Sequence, residues 1–245
     1  MWDRPREIDV LAWSLTLAAV AMLAWGAIAW AVRQPAFALR QVVVGGSLAR
    51  VSRAHVESVI REELKGTFFT LSLPEARASL ERVPWVKSVA LRRQWPDRLE
   101  VTIVEHEPLA RWNQTALVDT EGEVFTADFD GELPQFEGPD GSSAEVALRS
   151  REFGATLEPR ALAIVELKLS PRGGWRLRTS GSAALAIELG RTAPAERLAR
   201  FVAYHARTVA ALASGGTRVD YVDLRYRNGF AVRMPDAAAT SRKTG

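Results

Sequence analysis

From Val10 to Val32 no residue is charged, which leaves about 23 apolar or small positions between Asp9 and Arg33. At ~1.5 Å per residue this run makes roughly 34 Å of helix, enough for one bilayer crossing. Trp13 and Trp30 stand near its ends, where aromatic rings anchor a span, although Trp25 lies deeper. Ala29 and Ala31 form a small-x-small pattern of the kind that signal peptidases cut, but the run exceeds the ~7 to 15 apolar residues of a secretory signal, so a retained anchor is expected. Arg4 and Arg6 before the segment are matched by Arg33 and Arg40 after it, and charge leaves the orientation open. The long trailing portion, which crosses a membrane largely regardless of its charge, places the N-terminus in the cytoplasm.

Past the span the pattern alternates between strand and helix periods. Phe37 to Val44 predicts a strand that Gly45-Gly46 ends. Ser52 then reads as an N-cap, with Val56, Val59, Ile60 and Leu64 at helical spacing, Arg53, Glu57, Arg61 and Glu62 on the wet side, and Gly66 as the stop. A second helix has Pro74 in its first turn, turns Ala76, Leu80 and Val83 inward, and ends at Pro84. Trp85 to Arg93 and Arg98 to His106 predict a hairpin about the turn Trp95-Pro96-Asp97, with Leu99, Val101 and Ile103 on one face. Strand, helix, helix, strand, strand implies two helices on one side of a three-stranded sheet. Trp85 and Trp95 are expected to serve core and turn packing.

The remainder is richer in strands. Ala116 to Phe125 predicts a hairpin around Thr120-Glu121-Gly122, and Leu133-Pro134 with Gly138-Pro139 a loop. A helix is expected from Glu145 to about Leu157. Ile164 to Leu169, Trp175 to Thr179 and Ala184 to Leu189 form an antiparallel meander, turning at Pro171-Arg172-Gly173-Gly174 and Ser180-Gly181-Ser182. One long helix, Ala195 to Ala213, carries Leu198, Phe201, Val202, His205, Val209 and Leu212 on one stripe and stops at Gly215-Gly216. Val219 to Tyr226 and Phe230 to Met234 close the domain as a hairpin about Arg227-Asn228-Gly229, its last strand at a sheet edge.

Composition narrows the function. The 32 basic and 29 acidic residues give a net charge of +3 and are intermixed, which argues against nucleic acid as a partner. With no cysteine there is no disulfide, thiolate nucleophile or Cys-based metal site. His55, His106 and His205 lack metal-ligand spacing and read as structural, so no cofactor is expected. Glu105 and Glu107 share a strand face as an acid/base pair would, but no nucleophile, oxyanion donor or phosphate loop accompanies them. An enzyme is therefore not expected.

Pro84-Trp85-Val86, Arg92-Arg93-Gln94-Trp95-Pro96-Asp97 and Glu105-His106-Glu107-Pro108, in that order of elements, resemble the POTRA domain of the FtsQ/DivIB division proteins. Ser170-Pro171-Arg172-Gly173-Gly174-Trp175, Leu189-Gly190-Arg191, Arg197-Leu198-Ala199-Arg200-Phe201 and Val222-Asp223-Leu224-Arg225-Tyr226 extend the resemblance over nearly the whole chain. It implies an α+β protein with a single N-terminal transmembrane helix, a POTRA domain (βααββ) and a C-terminal mixed β domain with a long helix. The corresponding boundaries are a short cytoplasmic leader at 1–9, the span at 10–32, POTRA at 37–107, the β domain at 108–234 and a flexible tail at 235–245.

The implied function is that of a non-enzymatic scaffold of the divisome in the inner membrane, with its bulk in the periplasm and concentrated at the septum. The β domain would bind the FtsB and FtsL division proteins by strand addition, and the POTRA domain would serve recruitment. The matching residues are Arg172, Arg225, Tyr226, Asn228, Gly229 and Met234, the last standing where better-known members carry tryptophan. By residue type alone Arg225 is a solvated strand charge and Tyr226 a core residue. A POTRA-containing periplasmic assembly or secretion component is the alternative, but too little chain follows residue 107 for an outer-membrane barrel.

Overall fold

The computed structural model describes residues 5–46, 48–63, 66–180, 184–215, 219–226 and 229–234. The chain divides into two units, Met1–His106 and Glu107–Gly245.

The first unit opens with helix α1, Pro5–Ala31, which from Asp9 to Ala31 is long and apolar enough to cross a membrane. Trp13, Met22, Trp25 and Trp30 point to different sides of it, yet each is at least 69% exposed. A helix that is apolar all round and packs no face against protein is suited to solvation by lipid.

Strand β1 is Gln41–Gly45, shorter than the expected Phe37 to Val44, because Pro35–Phe37 forms a 3-10 turn and the Phe37 carbonyl accepts the Phe68 amide at 2.7 Å. Helices α2 (Arg53–Glu63) and α3 (Leu73–Leu80) follow, then β2 (Val86–Gln94) and β3 (Arg98–Glu105). The sheet order is β1-β3-β2, with β3 parallel to β1 and antiparallel to β2. Alternation in β3 makes it the natural centre: Leu99, Val101 and Ile103 are fully buried while Val104 is half exposed. Val56 of α2 and Ala76 and Leu80 of α3 join them in the core. Gly46, at φ +110°, has room for no side chain, since a Cβ there would lie 2.3 Å from the Ile103 carbonyl oxygen. Trp85 is buried beneath the Arg50 guanidinium, which sits 5.2 Å from its ring centre. Trp95 is instead 77% exposed at the hairpin tip, correcting the expectation that it packs there.

In the second unit β4 (Pro108–Trp112), β5 (Ala116–Asp119), β6 (Val124–Phe125) and β7 (Gln135–Glu137) precede α4 (Ser143–Leu157). Next come β8 (Ile164–Leu169), β9 (Trp175–Thr179) and β10 (Ala186–Gly190), the expected antiparallel meander. Helices α5 (Pro194–His205) and α6 (Val209–Ser214) lead to β11 (Tyr221–Asp223) and β12 (Ala231–Arg233). One sheet runs β12-β11-β10-β9-β8-β7-β4-β5-β6. Its inward positions, among them Phe136, Leu167, Leu177, Ile187 and Val222, form one core with Phe153 of α4 and Leu198 and Phe201 of α5.

Strand β4 has no counterpart among the sequence expectations, and three further features differ from them. The expected loop around residues 134–138 contains β7, a strand inside the sheet whose single inward residue, Phe136, is too little for a pattern to show. The long helix breaks between His205 and Val209: Thr208 Oγ1 donates to the Tyr204 carbonyl at 2.9 Å, and Arg207 and Thr208 amides reach back only three residues. A hydroxyl bonded to the preceding turn competes with the helical ladder and bends it. The closing hairpin is also wider than a tight Asn-Gly turn, since Asp223 pairs with Ala231 and leaves residues 224–230 between the strands. Arg227 and Asn228 themselves lie outside the described residues.

Candidate partner-binding edge

Among the described residues strand β12 pairs with β11 on one side and closes the sheet order on the other, so it forms an edge. The Arg233 carbonyl accepts the Asp220 amide at 3.3 Å and therefore faces β11. Because backbone groups alternate in direction along a strand, those of Val232 face away, while the Val232 side chain packs partly against the core. An edge of this kind holds donors and acceptors that another chain can complete. The opposite edge, β6, is only two residues long.

Strand directions bring most of the predicted residues to one end of this edge. Turn 170–174 joins β8 to β9 there, with the Gly173 amide donating to the Ser170 carbonyl at 2.9 Å and Arg172 exposed at its tip. Arg225 and Tyr226 follow the end of β11, and Gly229 precedes β12 at the same end. Tyr226 is 58% exposed and so is not a core residue. Met234 is also exposed, but lies past the far end of β12. The five residue steps from Gly229 to Met234 cover roughly 16 Å at ~3.3 Å each, so Met234 belongs to a separate part of the surface. Asn228 is outside the described residues.

Arg225 is not the freely solvated charge its type suggests. Its Nε lies 2.9 Å from Asp223 Oδ1, its Nη2 lies 2.7 Å from Oδ2, and its amide donates to Oδ1 at 3.0 Å. The fork engages Nε and Nη2, while the side chain as a whole stays 58% exposed. Asp223 is buried, but the hydrogen bonds from Arg225 outweigh burial and hold its carboxyl below the ordinary aspartate range. Asp223 in turn keeps Arg225 firmly protonated. Gly190, at φ +73°, makes space for this arrangement: a Cβ there would lie 3.1 Å from Arg225 Cγ and 2.9 Å from Arg197 Nη1. Arg197 Nη1 donates to the Leu189 carbonyl at 2.8 Å. The roles of Asp223, Gly190 and Arg197 were not legible as site features, although an Asp-x-Arg spacing does allow the two side chains to pair.

The outward sheet face beside the edge is polar and internally paired. Arg176 meets Glu188 at 2.7 Å and Arg178 meets Glu166 at 3.2 Å across neighbouring strands. The Arg233 guanidinium stands 5.0 Å from the ring centre of Tyr221, whose hydroxyl is pushed above its usual range first by burial and then by Asp223. In the first unit Glu105, considered above as half of an acid/base pair, accepts the amides of Ala49, Arg50 and Val51 at 3.1, 3.1 and 2.7 Å. That is the work of a loop clamp. Glu107 falls outside β3.

Comparison with known proteins accords with this architecture. Residues 37–106 match the family described as POTRA domain, FtsQ-type, and residues 110–225 match cell division protein FtsQ/DivIB, C-terminal. A cell division protein FtsQ of Burkholderia pseudomallei is 38% identical over 95% of this chain and 94% of its own length. Those of Nitrosospira multiformis and Escherichia coli are 37% and 32% identical, covering 95% and 88% of this chain and 99% and 80% of their own. With a membrane-length helix, a POTRA unit and an open-edged β unit in that order, this chain belongs to the FtsQ family of cell division proteins.

Proposed function

We propose that this chain is a non-enzymatic, single-pass scaffold of the division machinery in the inner membrane, with its N-terminus in the cytoplasm and its bulk in the periplasm at the septum. In this reading residues 10–32 span the bilayer, 37–107 recruit, 108–234 receive FtsB and FtsL, and the leader 1–9 and tail 235–245 flank them. The observation that carries it is the open side of β12, beside which Arg225, Tyr226, Gly229 and Arg172 stand at one end. A strand from the FtsB/FtsL pair adds to β12 through the backbone groups of Val232, Tyr226 supplies an aromatic anchor, and Arg225 and Arg172 meet acidic side chains. The enclosing fork fixes the Arg225 guanidinium before the partner arrives, so little side-chain entropy is lost on binding.

The test is capture of an FtsB/FtsL complex by the full chain in nanodiscs. Tyr226→Ala lowers affinity by about tenfold or more, as expected for a central aromatic. Val232→Pro, which deletes an outward N–H that no described strand uses, lowers it similarly, whereas Val232→Ala does so only slightly. Unchanged capture by a folded Tyr226→Ala and Val232→Pro chain would remove this surface from consideration.

A further inference from the structure

The end of the first unit nearest α1 is tied closely to the end of the apolar span. Thr67, between α2 and α3, donates its hydroxyl to the Val32 carbonyl at 2.7 Å. Ala38 forms a bridge with Thr67, so the 66–71 loop is fastened to the first residues beyond the helix. The β2–β3 hairpin tip is fastened to the same end. Amides of Arg40 and Gln41 donate to the Asp97 carbonyl at 3.0 and 3.3 Å, and Arg93 donates to the Leu71 carbonyl.

Each of these two tips holds an aromatic side chain away from the core. Phe69 is 48% exposed, its ring edge-on to Phe37 and Phe68 at 5.2 Å from each, and Trp95 is 77% exposed. Arg33, Arg40 and Arg98 are exposed on the same end. In bulk water such a surface leaves large apolar rings solvated to no benefit. At the level of Val32 the surroundings are different, because the headgroup zone extends roughly 5 to 7 Å beyond the hydrocarbon. That zone favours aromatic rings, and arginine there meets anionic headgroups.

We propose that this end of the POTRA unit rests on the bilayer surface through Phe69 and Trp95, with Arg33, Arg40 and Arg98 facing anionic lipid. The occupant is the membrane because the hydrogen bond to Val32 makes this surface continuous with the end of the span. Two contacts away from the helix axis add to the Thr67–Val32 hydrogen bond in holding the tilt of the unit. The inference rests on α1 spanning the membrane.

The natural chain has no cysteine, so single nitroxide labels report depth without background. The full chain is labelled at Phe69→Cys, Trp95→Cys, Val104→Cys or Leu23→Cys in nanodiscs of phosphatidylethanolamine and phosphatidylglycerol, and collisions with oxygen and with a polar nickel complex are compared. Labels at 23, 69 and 95 collide more with oxygen, and the label at 104, roughly 20 Å along β3 from Arg98, more with nickel. Adding Phe69→Ser shifts the label at 95 toward nickel, and Phe69→Trp restores it. If 23 reads as lipid while 69 and 95 match 104, the surface contact is wrong and the span stands. If 23 itself reads as aqueous, the span is wrong and this inference falls with it.

Discussion

Arg225 grips Asp223, two residues behind it in the chain, with Nε 2.9 Å from Oδ1 and Nη2 2.7 Å from Oδ2. Arg225 lies just past the end of β11, and the same carboxylate also accepts its amide. The acid therefore shapes the backbone that presents Tyr226 as well as the cation beside it.

Asp223→Asn tests this. An amide oxygen is uncharged and its nitrogen is no acceptor, so one prong of the fork is lost and the other weakened. Amide exchange at Arg225 and Tyr226 accelerates, and FtsB/FtsL capture falls by roughly tenfold, the scale of a central contact. Protection of Leu198 and Phe201, in the core beneath, stays unchanged.

Acid gives the same result without mutation. Arg225 lowers the folded-state pKa of Asp223 below its ordinary value of 3.8. The fork therefore adds stability that is fully present above that ordinary value and is lost as pH falls through the lower, folded one. The protection factor of the Arg225 amide, referred to its intrinsic exchange rate at each pH, stays constant from pH 7 down to about 4, the unfolded value for aspartate, and falls below it. In Asp223→Asn this acid-dependent loss of protection is absent.

Gly190→Ala perturbs the fork from the neighbouring strand. A methyl group would sit 3.1 Å from Arg225 Cγ, and φ of +73° is unfavourable for alanine. The backbone strain alone costs about 1 to 2 kcal/mol. Global protection of β10 in hydrogen exchange drops by that amount, and partner capture drops further because Arg225 is displaced.

Phe201→Ala probes the core instead of the edge. Phe201 is fully buried, with its ring edge-on to Phe230 at 5.6 Å, just ahead of β12. Truncation costs about 3 to 5 kcal/mol and leaves a cavity. Exchange protection is lost across β10 and β12 together, which separates this variant from Tyr226→Ala, where β10 is unaffected.

The periodic elements were legible in the amino-acid order because their environment repeats. Leu99, Val101 and Ile103 alternate with polar neighbours, Trp175 to Thr179 does the same, and the α5 stripe of Leu198 and Phe201 recurs at helical spacing. The expected stripe continued through Thr208, which bends the chain by bonding back to Tyr204. Strand β7 went unread because one apolar residue between Gln135 and Glu137 has no period.

By itself the sequence determined the membrane-length apolar run, the βααββ order of the first unit, the meander of β8 to β10 and the placement of Arg172, Arg225 and Tyr226 in or beside turns. Those features depend on local composition and spacing. Only the tertiary structure decided that Trp95 faces outward, that β4 and β7 extend the sheet, that Asp223 holds Arg225, and that Met234 stands a strand's length from Tyr226. Each of these depends on which backbone lies alongside, and pairing across a sheet joins residues whose separation in the chain carries no trace of it.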